Sequence, residues 1–373
     1  MSKIRYALGL LCAAAVILPL PVTAALPFHF GLYPSGPLDA ITDVGGVRVG
    51  HVTKIEGASI RTGATAVLPN ADPWDRKVSA AFFAFNGNGE MTGWAWIAEQ
   101  GLLAAPLCIT NTHCVGVVRD AICALAVREK VALPWLLPVA AETYDGWLSD
   151  AASFPVATKH AIAALDGAAS GPVAEGNVGG GTGMICHEFK GGTGTASRVV
   201  ETAGERYTVG ALVQANYGAR ELLRIDGVPV GREIGVEVVP SARAVSREAG
   251  SIIVVLATDA PLLPIQCQRL ARRATIGLGW VGGVGFNSSG DIFLAFATGN
   301  HVRHGEAISA VRMLSPECIS PLFQAAAEAT EEAILNALTM AETMHGVDGH
   351  VAHALPLDRL AEVMRRYRPA PRG

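Results

Sequence analysis

Short apolar, β-branched runs separated by Gly- and Pro-containing breaks fill the first third of the chain, at residues 47–52, 64–68, 80–85 and 107–111. Runs of this length and composition predict strands. Over residues 117–131 the period changes. Val118, Ile122 and Leu125 fall on one face while Arg119, Arg128 and Lys130 fall off it, which predicts an amphipathic helix. Pro134 and Pro138 close that helix and lead into Val139-Ala140-Ala141-Glu142-Thr143-Tyr144-Asp145-Gly146, where Asp145 reads as a turn residue before Gly146. Strand-like runs resume at 209–214 and 236–239, followed by a polar linker over 240–249. Residues 251–258 are β-branched and almost uninterrupted, as in a strand buried on both faces. Residues 264–277 read as helix and 292–298 as strand. Ser320-Pro321 opens a long C-terminal helix with a Ser N-cap and a Pro in its first turn. Strands and helices interleave, which predicts an α/β or α+β class with two covered faces.

Residues 176–194 obey neither period. Gly179-Gly180-Gly181-Thr182-Gly183 and Gly191-Gly192-Thr193-Gly194 argue against an ordinary helix or strand interior. Such clusters let backbone adopt positive φ or approach something closely, and passage near an active site is the expectation here. Half of the 373 residues are hydrophobic and 17% are charged, a balance that supports a large buried core and argues against disorder. Net charge is −4 with no long basic run, so nucleic-acid binding has no electrostatic footprint. Lys3 and Arg5 precede a stretch of about 14 apolar residues, shorter than the roughly 20 a membrane span needs. Val22-Thr23-Ala24 follows with small residues. Residues 1–24 therefore predict a signal peptide cleaved after Ala24, a periplasmic or secreted product, and no membrane association of the mature chain over residues 25–373. Cys12 leaves with the signal. Cys108, Cys114, Cys123, Cys186, Cys267 and Cys318 show no CxxC or ligand-like spacing, so no disulfide framework is expected.

Several catalytic signatures are missing. GxSxG, SxxK and HExxH do not occur. One GxGxxG, Gly277 to Gly282, follows a predicted helix instead of a strand, against a dinucleotide loop. His301 with His304 and His350 with His353 bring no third ligand at metal spacing, so surface or capping roles are favoured, and neither metal nor cofactor is expected. Gly250-Ser251 remains. A serine opening a buried strand after Gly suits an N→O acyl shift, because Gly has no Cβ to hinder the hydroxyl's approach to the preceding carbonyl. Hydrolysis would then leave Ser251 with a free α-amine of pKa about 7.7–8.0. One residue would supply both nucleophile and base. A plain strand start after a turn leaves the same trace, and the dipeptide by itself favours that plainer reading.

Five further segments change the balance. They are Ile41-Thr42-Asp43-Val44-Gly45-Gly46-Val47-Arg48-Val49-Gly50-His51, Thr110-Asn111-Thr112-His113-Cys114-Val115-Gly116, the block from Gly176 to Met184 with Phe189-Lys190-Gly191-Gly192, Leu212-Val213-Gln214-Ala215-Asn216-Tyr217-Gly218, and Ser289-Gly290-Asp291-Ile292-Phe293. In this order around Gly250-Ser251, they resemble the DmpA/BapA-type aminopeptidases, the L-aminopeptidase/D-Ala-esterase-amidases and β-peptidyl aminopeptidases. The resemblance covers nearly all of the mature chain. It implies a four-layer αββα sandwich like that of ornithine acetyltransferases, self-cleavage at Gly250-Ser251 into chains 25–250 and 251–373, and a homo-oligomer, a tetramer of processed protomers.

By the same resemblance Ser251 is the nucleophile, Asn216 an oxyanion donor, Ser289 an assisting serine and Asp291 a nearby carboxylate. Glu142 and Tyr144 fall in the substrate-pocket motif, where a carboxylate holds the substrate's free ammonium. The implied substrates are small peptides, amides or esters. Trp280 stands where that family often has a basic residue. Two alternatives share the fold: acyl transfer to an amine, and an unprocessed, non-catalytic periplasmic binding protein.

Overall fold

The apolar runs pair into two sheets that lie face to face. A computed structural model describes residues 31–242 and 250–367. The expected signal segment and residues 243–249 of the expected linker lie outside the described residues. In chain order the elements begin with β1 (Arg48–Glu56), β2 (Ile60–Leu68), β3 (Arg76–Ala84), α1 (Trp94–Gln100), β4 (Leu102–Leu103), β5 (Leu107–Asn111), α2 (Val115–Arg128), β6 (Val139–Thr143) and α3 (Thr158–Asp166). Two short strands follow, β7 (Ile185–Cys186) and β8 (Phe189–Lys190), then β9 (Gly192–Thr202), β10 (Glu205–Asn216) and the single turn α4 (Val230–Glu233). Next come β11 (Gly250–Thr258), α5 (Pro264–Ala271), α6 (Ala274–Val281), β12 (Ser289–Arg303) and α7 (Ser320–Thr339). The last pieces are β13 (Met344–His345), β14 (Val351–Ala352) and α8 (Leu357–Tyr367).

One sheet has the order β1-β2-β5-β6 and the other β4-β3-β12-β11-β10-β9. Side chains alternate across a strand, and β11 uses both directions. Ile253, Val255 and Ala257 enter a core between the sheets with Leu107, Ile109 and Phe296. Ile252, Val254 and Leu256 enter a second core with Leu270 of α5, Leu278 of α6 and Ala326 of α7. On the far face of the first sheet, Ala66, Cys108 and Ala140 meet Val118 and Ile122 of α2 and Ala164 of α3. The layers therefore run helix, sheet, sheet, helix, the expected αββα sandwich. Each fully buried Val, Ile or Leu contributes about 1.5–3 kcal/mol, and β11 collects that gain on both faces.

Three expectations need correction. Residues 236–239 form a turn instead of a strand. The buried guanidinium of Arg220 donates to the carbonyls of Ile234 (3.2 Å), Gly235 (3.4 Å) and Val239 (3.0 Å), so these groups wrap a cation and pair with no ladder. The helix read over 264–277 is two helices, broken at Arg272-Arg273. The second glycine cluster, set aside as unfit for a strand, opens β9. A Cβ on Gly194 would lie 1.9 Å from the Ala333 carbonyl oxygen of α7. Glycine there trades strand propensity for close contact between helix and sheet. The first cluster forms a buried 3-10 turn, Gly179–Gly183.

The small helix α1 escaped the sequence reading, since a seven-residue helix is too short to establish a period. Gly277 to Gly282 runs along α6 into its C-cap, not from a strand into a helix. All six described cysteines are free thiols. Helix α7 is buried over most of its length and carries Glu328 and Glu332 to Arg198 of β9, at 3.3 and 2.5 Å.

Gly194→Ala should force α7 away from β9 and lower stability by about 1–3 kcal/mol, as overpacking does. Gly116→Ala, where an added Cβ meets nothing within 4 Å, should instead stabilise helix α2 by up to about 1 kcal/mol. Urea midpoints of the two variants should move in opposite directions.

Candidate active site

Strand register gathers the chemistry at one end of the second sheet. In the antiparallel pairing of β10 with β11, Asn216 faces Ser251. In the parallel pairing of β11 with β12, Gly250 faces Ser289 and Ser251 faces Gly290. The Gly290 N–H donates to Ser251 Oγ at 3.2 Å. A Cβ on Gly290 would lie 2.4 Å from the Asn88 carbonyl oxygen, so glycine lets the loop after β3 close over this point. Gly250 has φ of +151°, a conformation that L side chains rarely adopt.

Ser289 and Asp291 are two residues apart on β12 and share a face. Ser289 Oγ donates to Asp291 Oδ1 at 2.6 Å. Asn86 completes the clamp. Its Nδ2 donates to Asp291 Oδ2 at 3.1 Å, and its Oδ1 accepts from the Asp291 N–H at 2.5 Å. Burial pushes the Asp291 carboxyl above its ordinary value, while the bonds from Ser289 and Asn86 favour its charged form and pull it back.

A cavity of about 880 Å³ opens in front of Ser251. Glu142, Tyr144, Asn216, Gly250 and Ser251 line it, together with Glu90, Thr112 and Trp147. Glu142 lies near the end of β6 and is 3% exposed. It accepts the Glu90 N–H at 2.8 Å and the Thr112 hydroxyl. Desolvation raises its pKa and these two donors oppose the rise. Asn216 joins three segments: its Nδ2 donates to the Tyr144 carbonyl and its Oδ1 accepts from the Ile185 N–H, both at 2.9 Å. The arrangement places a hydroxyl, a backbone N–H and an amide around one point, with a buried carboxylate across the same cavity.

Ser251, Gly250, Asn216, Glu142 and Tyr144 thus line one cavity, and Ser289 and Asp291 lie on the neighbouring strand β12. Ser289 and Asp291 stand behind the cavity wall, not on it. The sequence reading missed Asn86, Thr112, Glu90 and Trp147. Thr112 lies within the motif from Thr110 to Gly116. Asn86-Gly87-Asn88-Gly89 is a strong turn signal after a strand that could have marked the loop. Asp145 is a turn residue in its backbone, accepting from Leu148 and Ser149 N–H at 3.0 Å each. Its side chain is nevertheless 1% exposed, and burial pushes its carboxyl up to about 6. Gly179–Gly183 packs between the sheets and does not itself line the cavity, whereas Ile185, two residues after it, does. Trp280 is 38% exposed on α6 and also lies off the cavity wall. His350 stacks on Trp147 with ring centroids 3.7 Å apart. Among the described residues no group of three or more His, Cys, Asp or Glu is placed to hold a metal ion.

The model of peptidase family S58 matches residues 39–352. A β-peptidyl aminopeptidase, BapA, from Sphingosinicella microcystinivorans is 47% identical, covering 96% of each chain. Among solved structures, a β-aminopeptidase from a Burkholderia species superposes with a TM-score of 0.85 at 50% identity, over 94% of this chain and 99% of that one. The L-aminopeptidase D-Ala-esterase/amidase of Ochrobactrum anthropi, described as a variant of the Ntn-hydrolase fold, gives 0.85 at 46% identity, over 92% and 97%.

Asp145 sets a pH dependence whose sign follows from its raised value. Below pH 3.8 the carboxyl is protonated folded and unfolded, and its burial costs nothing extra. As pH rises towards 6 and beyond, the unfolded chain ionises first and stability is lost, by about 3 kcal/mol for a shift of this size. Asp145→Asn should remove that loss. Its urea midpoint should change less between pH 5 and pH 8 than that of the unsubstituted protein.

Proposed function

The chain belongs to peptidase family S58 and is an aminopeptidase of the N-terminal-nucleophile hydrolase fold, and from that premise we propose that it is an exported precursor which cuts itself before Ser251. The observation that carries this reading is that Ser251, its hydroxyl held by the Gly290 N–H, lies opposite Asn216 on the wall of one cavity. Ser251 Oγ attacks the Gly250 carbonyl, the peptide C–N bond breaks, and water hydrolyses the resulting ester. Chain 25–250 then ends in a carboxylate and chain 251–373 begins with the Ser251 amine.

In turnover the same hydroxyl attacks the carbonyl of the substrate's N-terminal residue. The Ser251 amine takes the hydroxyl proton and delivers it to the leaving amine or alcohol, and water releases the acyl group. Asn216 stabilises the oxyanion, where one preorganised donor contributes about 2.7–4 kcal/mol, while the Gly290 N–H holds the Ser251 hydroxyl. Ser289, held by Asp291, assists the nucleophile. Glu142 receives the substrate's ammonium beside Tyr144, and its buried, hydrogen-bonded carboxylate supports that role. No step requires a metal or an organic cofactor. Substrates are small peptides, amides or esters, and β-amino acid residues deserve the first trial because the relatives named above are β-aminopeptidases. Export rests on residues 1–24. Assembly of processed protomers into a homo-oligomer, a tetramer, rests on the family resemblance.

Intact mass under denaturing conditions should give a fragment starting at Ser251 for the unsubstituted protein. Ser251→Ala should give one unbroken chain without turnover, and a processed, active alanine variant would overturn the reading. Asn216→Ala should lower kcat by about 10²–10³-fold in material that has been processed, with a smaller change in KM.

A further inference from the structure

We propose that Glu90 selects substrates whose N-terminal residue carries a second positive charge, a basic side chain in addition to its ammonium. This inference rests on the reading in which Glu142 holds that ammonium while Ser251 takes the acyl group.

Glu90 is not a stray surface acid. The loop that bears it is fastened to the same strand end as the serines: Phe85 N–H donates to the Asp291 carbonyl at 2.9 Å, Asn88 N–H to the Ser289 carbonyl at 3.2 Å, and Asn88 Nδ2 to the Ser288 carbonyl at 2.7 Å. The Glu90 N–H ends the series on Glu142 Oε1. Its backbone is therefore held at the cavity by groups that also build the site, while its side chain is exposed on the cavity wall. Among the described residues no hydrogen bond or ion pair holds its carboxylate.

The charge balance then decides what fits. Among the described residues Glu90 and Glu142 are the two carboxylates on the wall, and no Lys, Arg or His lines it. Like charges in one cavity oppose each other's ionisation; the Glu90 charge pushes the Glu142 carboxyl up, a smaller effect than the downward pull of the Glu90 N–H. A substrate with a single ammonium answers one of the two charges. An N-terminal lysine, ornithine or arginine residue, in either the α or the β series, answers both: the ammonium goes to buried Glu142 and the side-chain cation reaches out to exposed Glu90. Because Glu90 is solvated, its selectivity is modest, about two- to fivefold, the range of exposed ion pairs, and it weakens with salt.

The test compares kcat/KM for lysine and norleucine p-nitroanilides, and for β-homolysine and its neutral isostere, on the processed full-length protein. Norleucine matches the lysine stem without the charge. At low ionic strength the basic-to-neutral ratio should exceed one, and it should shrink in about 0.5 M salt, where the Debye length falls to a few ångströms. Glu90→Gln, which keeps the N–H bound to Glu142, should lower the ratio about two- to fivefold. An equal ratio in both proteins at low salt overturns the proposal. Glu142→Gln separates it from the underlying reading. Loss of both substrates there upholds Glu142 as the ammonium site, whereas undiminished turnover of both overturns that assignment whatever the ratio does.

Discussion

A strand buried on both faces cannot slip, and the site depends on that constraint. Shifting β11 by one residue would exchange Ile252, Val254 and Leu256 with Ile253, Val255 and Ala257 between two cores already filled from either side. The position of the Ser251 hydroxyl is thus set by the packing of these six residues behind it more than by anything it touches. Pairing carries the same precision sideways. Once β11 is seated, the β10 ladder delivers Asn216 and the β12 ladder delivers Gly290.

Acids around this point are held by neutral donors in place of cations. Glu142 is served by a hydroxyl and a backbone N–H, and Asp291 by Ser289 and Asn86. Burial raises both carboxyls, and the donors restrain the rise. Arg198 shows the opposite solution. Fully buried in β9, it meets Asp39, Glu328 and Glu332, and no charge is left over on the guanidinium to bind a ligand. Two of those partners lie on α7, beyond Ser251 in sequence. The ion cluster therefore ties together segments on either side of the Gly250-Ser251 bond, as do the long ladders β10–β11 and β3–β12.

Most strands were legible because their signal is local. Residues 107–111 match β5 in full, and the run after Ser251 needed only its unbroken apolar character to be read as doubly buried. The failures have physical causes. Residues 236–239 carry strand-like side chains, but the buried Arg220 guanidinium, from an earlier turn, claims the Val239 carbonyl that a ladder would use. Gly192 and Gly194 lack strand propensity, yet α7 approaches β9 so closely that no other residue fits at Gly194. Propensity describes one segment at a time, and both cases are settled by a partner elsewhere in the chain.

The candidate site divides along the same line. Gly250-Ser251, Asn216, Ser289, Asp291 and Glu142 could be nominated from residue types and ordered motifs, because the chemistry of a hydroxyl, an amide or a carboxylate travels with the residue. Asn86 and Glu90 could not. Their importance comes from a loop folded onto β12 some two hundred residues later, and the Asn86-Gly87-Asn88-Gly89 signal marks a turn without saying what it meets. The fate of Asp145 was likewise invisible, since its turn is local while the burial that lifts its carboxyl is not. The sequence by itself determined the layer class, the doubly buried strand and the kinds of groups available. Only the tertiary structure decided which groups meet, at what distance and in what dielectric, because those follow from register and packing between segments that no local pattern connects.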